Sequence, residues 1–148
     1  MSTFTQILYQ IVFSTKYREK TLLTDQRPDI YKYISGIIIN KQCHLYQIGG
    51  IEDHVHIITH LHPTQNLSKL VQDIKVASSK FIKENKLSKS FSGWQVGYGA
   101  FTYSIDAKYN LIEYVKNQEA HHQKISFIEE YKRLLKRHQI DFDENYLL

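Results

Sequence analysis

The sequence predicts an α+β domain: one antiparallel sheet with helices packed on one face, followed by further helices at the C-terminus. Three observations predict it. Segments rich in β-branched and aromatic residues alternate with segments whose apolar residues recur every three to four positions. The breaks between them carry proline, glycine or asparagine, with no internal repeat, low-complexity tract or Gly/Ser linker. A chain of 148 residues, 42% hydrophobic and 23% charged, suffices for one core and is short for two, so positions 1–148 read as a single domain.

Each element has its own justification. Gln6 to Ser14 carries Ile7, Tyr9, Ile11, Val12 and Phe13 and reads as a strand, with a polar, basic loop from Thr15 to Arg27. Pro28, welcome in a first turn, opens a helix to about Cys43 whose Ile30, Ile34, Ile37 and Ile38 share a face. His44 to Ile51 is a second strand, with a bulge or turn expected at Gly49-Gly50. Asp53 to His62 is a third, stopped by Pro63. Asn66 is a suitable N-cap for a helix from Leu67 to about Asn85, burying Leu67, Leu70, Val71, Ile74, Ala77 and Phe81. Trp94 to Ser104 is a fourth strand, positions 106–122 an amphipathic helix, and Ser126 to Gln139 an exposed, charged helix in a tail running to position 148. The order β-α-β-β-α-β is the ferredoxin-like plan, whose open sheet face commonly receives single-stranded nucleic acid.

Composition excludes some classes. No apolar run approaches the roughly 20 residues of a membrane span, and no basic segment followed by an apolar stretch marks a signal peptide. One cysteine, Cys43, forms no internal disulfide, so a reducing, cytoplasmic setting is expected. A net charge of +4 and a pI of about 9.0 suit a polyanionic partner.

Two constellations carry chemistry. In a strand, His54 and His56 project to the same face, where two imidazoles can take adjacent positions on one divalent metal or sit as satisfied core histidines. His60 and His62 continue the parity further from the pair, while Asp53 has the opposite parity and reads as a turn residue. On the helix at 106–122, Tyr114 and Gln118 stand one turn apart. The Gln118 amide oxygen is a neutral ligand for a hard cation, and a tyrosine beside it would adjoin the metal; otherwise Tyr114 continues the apolar stripe of Leu111 and Val115. Together the constellations suit a phosphodiester. A metal polarises the phosphate, and a tyrosine attacking phosphorus keeps the bond energy in a covalent ester for rejoining.

The chain resembles the TnpA-like, single-tyrosine HUH transposases of minimal bacterial insertion sequences, the insertion-sequence-200-like family. The resemblance runs through Ile11-Val-Phe-Ser-Thr-Lys-Tyr-Arg18, Glu52-Asp-His-Val-His-Ile57, Leu67-Ser-Lys-Leu-Val-Gln-Asp-Ile-Lys75, Trp94-Gln-Val-Gly-Tyr-Gly-Ala-Phe101 and Tyr114-Val-Lys-Asn-Gln118-Glu-Ala-His-His122. It implies that His54, His56 and Gln118 hold Mg²⁺ or Mn²⁺, without an organic cofactor. It implies that Tyr114 is the nucleophile, forming a 5′-phosphotyrosine and freeing a 3′-hydroxyl. It further implies single-stranded DNA with hairpin-forming element ends as substrate, a homodimer whose tyrosine helix can complete the partner's site, and action at the bacterial nucleoid.

Around these motifs, Lys16, Tyr17, Arg18 and Lys20 follow the first strand, and Lys69, Lys75 and Lys80 lie on the second helix. Each is a candidate DNA contact or a solvated charge. Trp94 and Tyr98 share parity and suit stacking or packing; His121 and His122 suit the end of a helix dipole without a catalytic role. Two other functions stay open: a domesticated HUH endonuclease acting on chromosomal repeat hairpins, and a non-catalytic nucleic-acid binder.

Overall fold

The computed structural model describes residues 2–147. Strands β1 (Leu8–Ser14), β2 (His44–Gly50), β3 (His54–His60) and β4 (Gly99–Tyr103) form one antiparallel sheet in the order β2-β3-β1-β4. Helices α1 (Arg27–Asn40) and α2 (Leu67–Glu84) connect them, completing the ferredoxin-like plan. Alternation along the strands sorts the side chains. Ile11 and Phe13 of β1 and Val55 and Ile57 of β3 pack with Ile30, Ile34 and Ile38 of α1 and Leu70, Val71 and Ile74 of α2.

The second sheet face is covered rather than open. Leu8 and Ile58 meet Leu111 and Val115 of α3 (Lys108–Lys116), while Val12 and Phe101 meet Phe127, Tyr131, Leu134 and Leu135 of α5 (Phe127–Arg137). The helix expected to be exposed is therefore a packing element. Its positions 127, 130, 131, 134 and 135 form one stripe of i, i+3, i+4, i+7, i+8 spacing, all buried.

Glycines let the helices descend on this face. Across the sheet, Gly49, His56, Val12 and Gly99 stand in one register row. A β-carbon on Gly49 would lie 2.7 Å from the Val115 carbonyl oxygen, and one on Gly99 2.7 Å from the Tyr131 ring. The row is thus low at both ends, with His56 clasped between α3 and α5. Gly49 lies within β2 and the sheet irregularity falls at Leu45/Gln47, so the expected glycine bulge is replaced by a close approach. Gly49→Ala should cost about 1–3 kcal/mol through overpacking, a fall in Tm of roughly 3–8 °C. Gly36→Ala, with open space around its β-carbon, should gain about 0.5–1 kcal/mol. Thermal denaturation of the pair checks the contrast.

Three other boundaries differ from expectation. Helix α1 ends at Asn40 because Gln42 takes a left-handed φ of 64°. Strand β4 begins at Gly99, since Gly93 and Gly97 adopt positive φ and the segment between them meets the sheet only at its end, by a bridge from Trp94 to Thr15 and a bond from the Gln95 amide to the Ser14 carbonyl. The tyrosine helix divides: Asn117, at ψ 20°, caps α3 and precedes the short α4 (Gln118–His121). The side chains of Phe81 and Leu67 are half-buried, with Phe81 stacked on Tyr33. Among the described residues no helix is long and apolar enough to cross a membrane.

Candidate active site

His54 and His56 of β3 stand on the second sheet face, each fully buried. Asp53 Oδ1 lies 2.7 Å from His54 Nδ1 and fixes that ring. A carboxylate behind a metal-binding imidazole is a common orienting partner. Strand parity assigned Asp53 only to a turn, because its reach back to the neighbouring ring is set by the bend before β3. The other ring nitrogen, His54 Nε2, lies 2.8 Å from Gln118 Oε1. The break at Asn117 leaves Gln118 and Tyr114 beside the same pair of histidines: Gln118 is 1% exposed, and the Tyr114 ring sits edge-on to His56 with centroids 5.8 Å apart. The helix bearing Tyr114 docks in its own chain's site.

Two further residues complete the cluster. Glu130 of α5, 2% exposed, places Oε1 2.8 Å from His56 Nε2 and 3.4 Å from His54 Nε2. Its Oε2 accepts hydrogen bonds from the Tyr114 hydroxyl and from Gln118 Nε2, the latter at 2.9 Å. His122 Nε2 lies 3.0 Å from Gln118 Oε1 and 3.2 Å from Glu130 Oε1. Each left a trace in the sequence that composition alone does not show. Glu130 is the one carboxylate within the buried stripe of α5, and His122 continues the Tyr114, Gln118 spacing by four more residues.

The cluster divides its charge unevenly. Burial pushes the Glu130 carboxyl up, but the imidazoles of His56, His122 and His54 override it and hold the group well below the usual carboxylate range. Burial also opposes protonation of His54, yet its bonds to Asp53 and Glu130 raise it to about 9. Burial lowers His56 and leaves it neutral. The Tyr114 phenol is pushed up by burial, then by the Glu130 charge beside it.

Metal-ligating atoms of His54, His56, His122 and Glu130 all lie within 4.8 Å of one another. Bonds from a divalent ion to nitrogen or oxygen run ~2.0–2.2 Å, so neighbouring donors on one ion stand roughly 3 Å apart, and Glu130 Oε1 lies 2.8–3.4 Å from the three imidazole nitrogens. The Ser14 hydroxyl, opposite His54 in the register, is buried without a hydrogen-bond partner, a further polar group left over at this spot. The donor set fits a divalent metal.

Residues 3–118 match the family described as transposase, IS200-like. The chain belongs to that family. Among solved structures, a Deinococcus radiodurans R1 protein assigned as a transposase is similar at 20% identity and a TM-score of 0.64, over 80% of this chain and 95% of its own. A REP-associated tyrosine transposase, solved bound to a REP hairpin, is similar at 17% identity and a TM-score of 0.61, over 84% and 76%. No curated protein matches the sequence. At these identities the likenesses bear on the fold alone, and they agree with the four-stranded sheet and its helices. The family match ends at Gln118, so His122 and Glu130 lie beyond it on this IS200-like chain.

The remaining candidates fall elsewhere. Lys16, Tyr17, Arg18 and Lys20 are exposed just past Ser14, the residue that pairs with His54, so they flank the histidine end of the sheet. Tyr17 and Arg18 have φ of 58° and 57°, and the Tyr17 amide donates to Gln95. Helix α2 packs on the opposite sheet face, so Lys69, Lys75 and Lys80 lie across the sheet from the cluster. Lys69 pairs with Asp73 at 3.1 Å and Lys80 with Glu84 at 3.8 Å. Lys75 donates to the Gln95 and Gly97 carbonyls, and burial lowers its ammonium to about 8. Trp94 is a packing residue: its indole donates to Ser78 at 2.9 Å and its ring meets Phe13 edge-on. His60 accepts from the Ile7 amide and His62 bonds Thr64, so neither joins the cluster.

Proposed function

We propose that this chain cuts and rejoins single-stranded DNA at insertion-sequence ends through a covalent 5′-phosphotyrosine on Tyr114. The observation that carries the reading is the convergence of His54, His56, Gln118 and the Tyr114 hydroxyl on one buried point. A nucleophile and a metal-binding set have no packing reason to share it.

His54, His56 and Gln118 would hold Mg²⁺ or Mn²⁺, with His122 and Glu130 adding a nitrogen and an anionic oxygen. The metal, when bound, supplies charge to the non-bridging phosphate oxygens and the departing oxygen. The protein does the rest. Asp53 keeps the His54 ring turned toward the site. Glu130 Oε2 accepts the hydrogen bond of the Tyr114 hydroxyl and holds its oxygen at the site, and the phenol proton passes to solvent. The Tyr114 oxygen then forms its bond to phosphorus as the bond to the 3′ oxygen breaks, and that oxygen leaves as a hydroxyl with a proton from solvent. In rejoining, a 3′-hydroxyl attacks the phosphotyrosine and gives its proton to solvent, while the Tyr114 oxygen leaves and is reprotonated from solvent. No ATP is consumed, because the ester keeps the bond energy.

The reading includes hairpin-bearing single-stranded DNA as partner and a homodimer as the working form. The same chemistry serves a chromosomal repeat, and the genomic flanks of the gene distinguish the two uses. The test uses a single-stranded oligonucleotide copied from those flanks. An adduct that survives denaturing electrophoresis should form with Mn²⁺ or Mg²⁺, vanish with EDTA and return with added metal. Adduct formation that ignores EDTA would rule out the metal-assisted reading.

A further inference from the structure

A cavity of about 440 Å³ opens beside the cluster, between the β1–β4 side of the sheet, α3 and α5, with Tyr114 in its wall. Resting on the reading above, we propose that it seats one unstacked nucleotide of the DNA strand, the one joined to the phosphate that Tyr114 attacks, held by Arg133 and Arg137.

Size comes first. The volume falls within the roughly 300–1,000 Å³ of pockets that enclose a small ligand. It takes one nucleotide, not a base pair with its neighbours, so a duplex can present its phosphate here only by releasing a base.

Chemistry comes second. Arg133 and Arg137 are one turn apart on α5 and both line the cavity. Like charges at that spacing destabilise a helix. Neither guanidinium has a hydrogen-bonded or ion-paired partner among the described residues. The chain has thus set two unneutralised cations facing the cavity, and a bound phosphodiester would neutralise them bidentately. The Arg137 guanidinium lies 5.9 Å from the centre of the Tyr103 ring, making an aromatic and planar-cation wall of the kind on which bases stack. Tyr103 is fixed by its hydroxyl, which donates to Gln10 Oε1 at 3.0 Å. Leu111 and Leu134 supply an apolar lining for a base.

Position comes third. Tyr114 and Glu130 also border the cavity. A nucleotide inside it therefore has its phosphate within reach of the attacking oxygen and of the metal-ligating cluster together.

The test measures binding rather than turnover, in EDTA, with a fluorescein-labelled random-sequence single strand of about 20 nucleotides and a blunt duplex of the same length. The variant is Arg133→Gln/Arg137→Gln in the full chain. Single-strand affinity should fall roughly tenfold, and the slope of log affinity against log salt should drop by about 0.7, one phosphate neutralised on a single strand. Duplex affinity should change by less than roughly threefold. Arg133→Lys/Arg137→Lys, which keeps the charge, should restore the salt slope and recover only part of the affinity. Unchanged single-strand affinity, or equal loss on single strand and duplex, would overturn the proposal. If the parent forms no adduct while the arginine variant still loses single-strand binding, the catalytic reading falls and the pocket stands. If the adduct forms and the arginine variant binds normally, the pocket falls alone.

Discussion

Tyr114→Phe is expected to form no covalent protein–DNA adduct and to lose cleavage by roughly 10⁴-fold or more, as removal of a nucleophile does. The fold should tolerate the change. The phenyl ring keeps its edge-on contact with His56 and its place beside Leu111 and Val115. The hydroxyl that is lost has Glu130 as its acceptor, and that carboxylate retains Gln118 Nε2 and the surrounding imidazoles, so no buried charge is orphaned. Stability should therefore shift by no more than about 1 kcal/mol, the net worth of one hydrogen bond. Denaturing electrophoresis of a labelled single strand, alongside a thermal melt, checks both halves. An adduct that persists in Tyr114→Phe would move the nucleophile elsewhere. Tyr103, the other tyrosine lining the same cavity, would be the first to replace next.

The parts of the site that the sequence disclosed are those governed by a single local period. The two-residue repeat of a strand puts His54 and His56 on one face whatever the rest of the chain does. The helical turn puts Tyr114 near Gln118, and even the break at Asn117 leaves them on the same side. The four-stranded order was legible for the same reason, from short runs of β-branched residues bounded by turn formers. Glu130 was not, because its role depends on where α5 packs, and a helix with acidic and basic residues at 129, 130, 132, 133, 136 and 137 reads as solvated when counted by composition. Counted by face, Phe127, Tyr131, Leu134 and Leu135 form an apolar stripe with a carboxylate inside it. A buried ionised group is costly unless it is paired, so a lone acid in such a stripe is itself a pointer to a polar site across the interface. Asp53 follows the same logic one step removed: it matters through the orientation of His54, which no spacing rule for ligands includes. The lysines of α2 show the converse. Their clustering in sequence suggested a DNA face, but the sheet stands between them and the cluster, and Lys75 is spent on the carbonyls of the segment leading into β4.

Metal affinity should climb with pH, by roughly tenfold per unit up to about 9, and then flatten. The cause is His54. Without metal, burial favours its neutral form, but Asp53 at Nδ1 and Glu130 near Nε2 hold a second proton on the ring and raise its pKa to about 9. A metal needs the Nε2 lone pair, so each binding event below that pH must release this proton, while Nδ1–H stays on Asp53. His56 is depressed and neutral, and does not add to the slope near neutrality. Between pH 6.5 and 9 the total gain is roughly 300-fold, one decade per unit. The same shift sets the sign for stability in EDTA. A raised histidine pKa stabilises the fold fully below its unfolded value of 6.5, and the contribution, on the order of 3 kcal/mol from the shift of about 2.5 units, is lost as pH rises through 9. The metal-free protein should therefore soften over the window in which metal binds most tightly, and the metal-induced rise in Tm should widen from pH 6.5 to 9. Mn²⁺ titration calorimetry in two buffers of different ionisation heat counts the released proton directly; a value near zero at pH 7 would mean that His54 is already neutral. Asp53→Asn, which removes the anionic partner at Nδ1, should bring the plateau to lower pH and shrink the proton release at pH 7, since the imidazolium then keeps only Glu130 to oppose the burial that disfavours it.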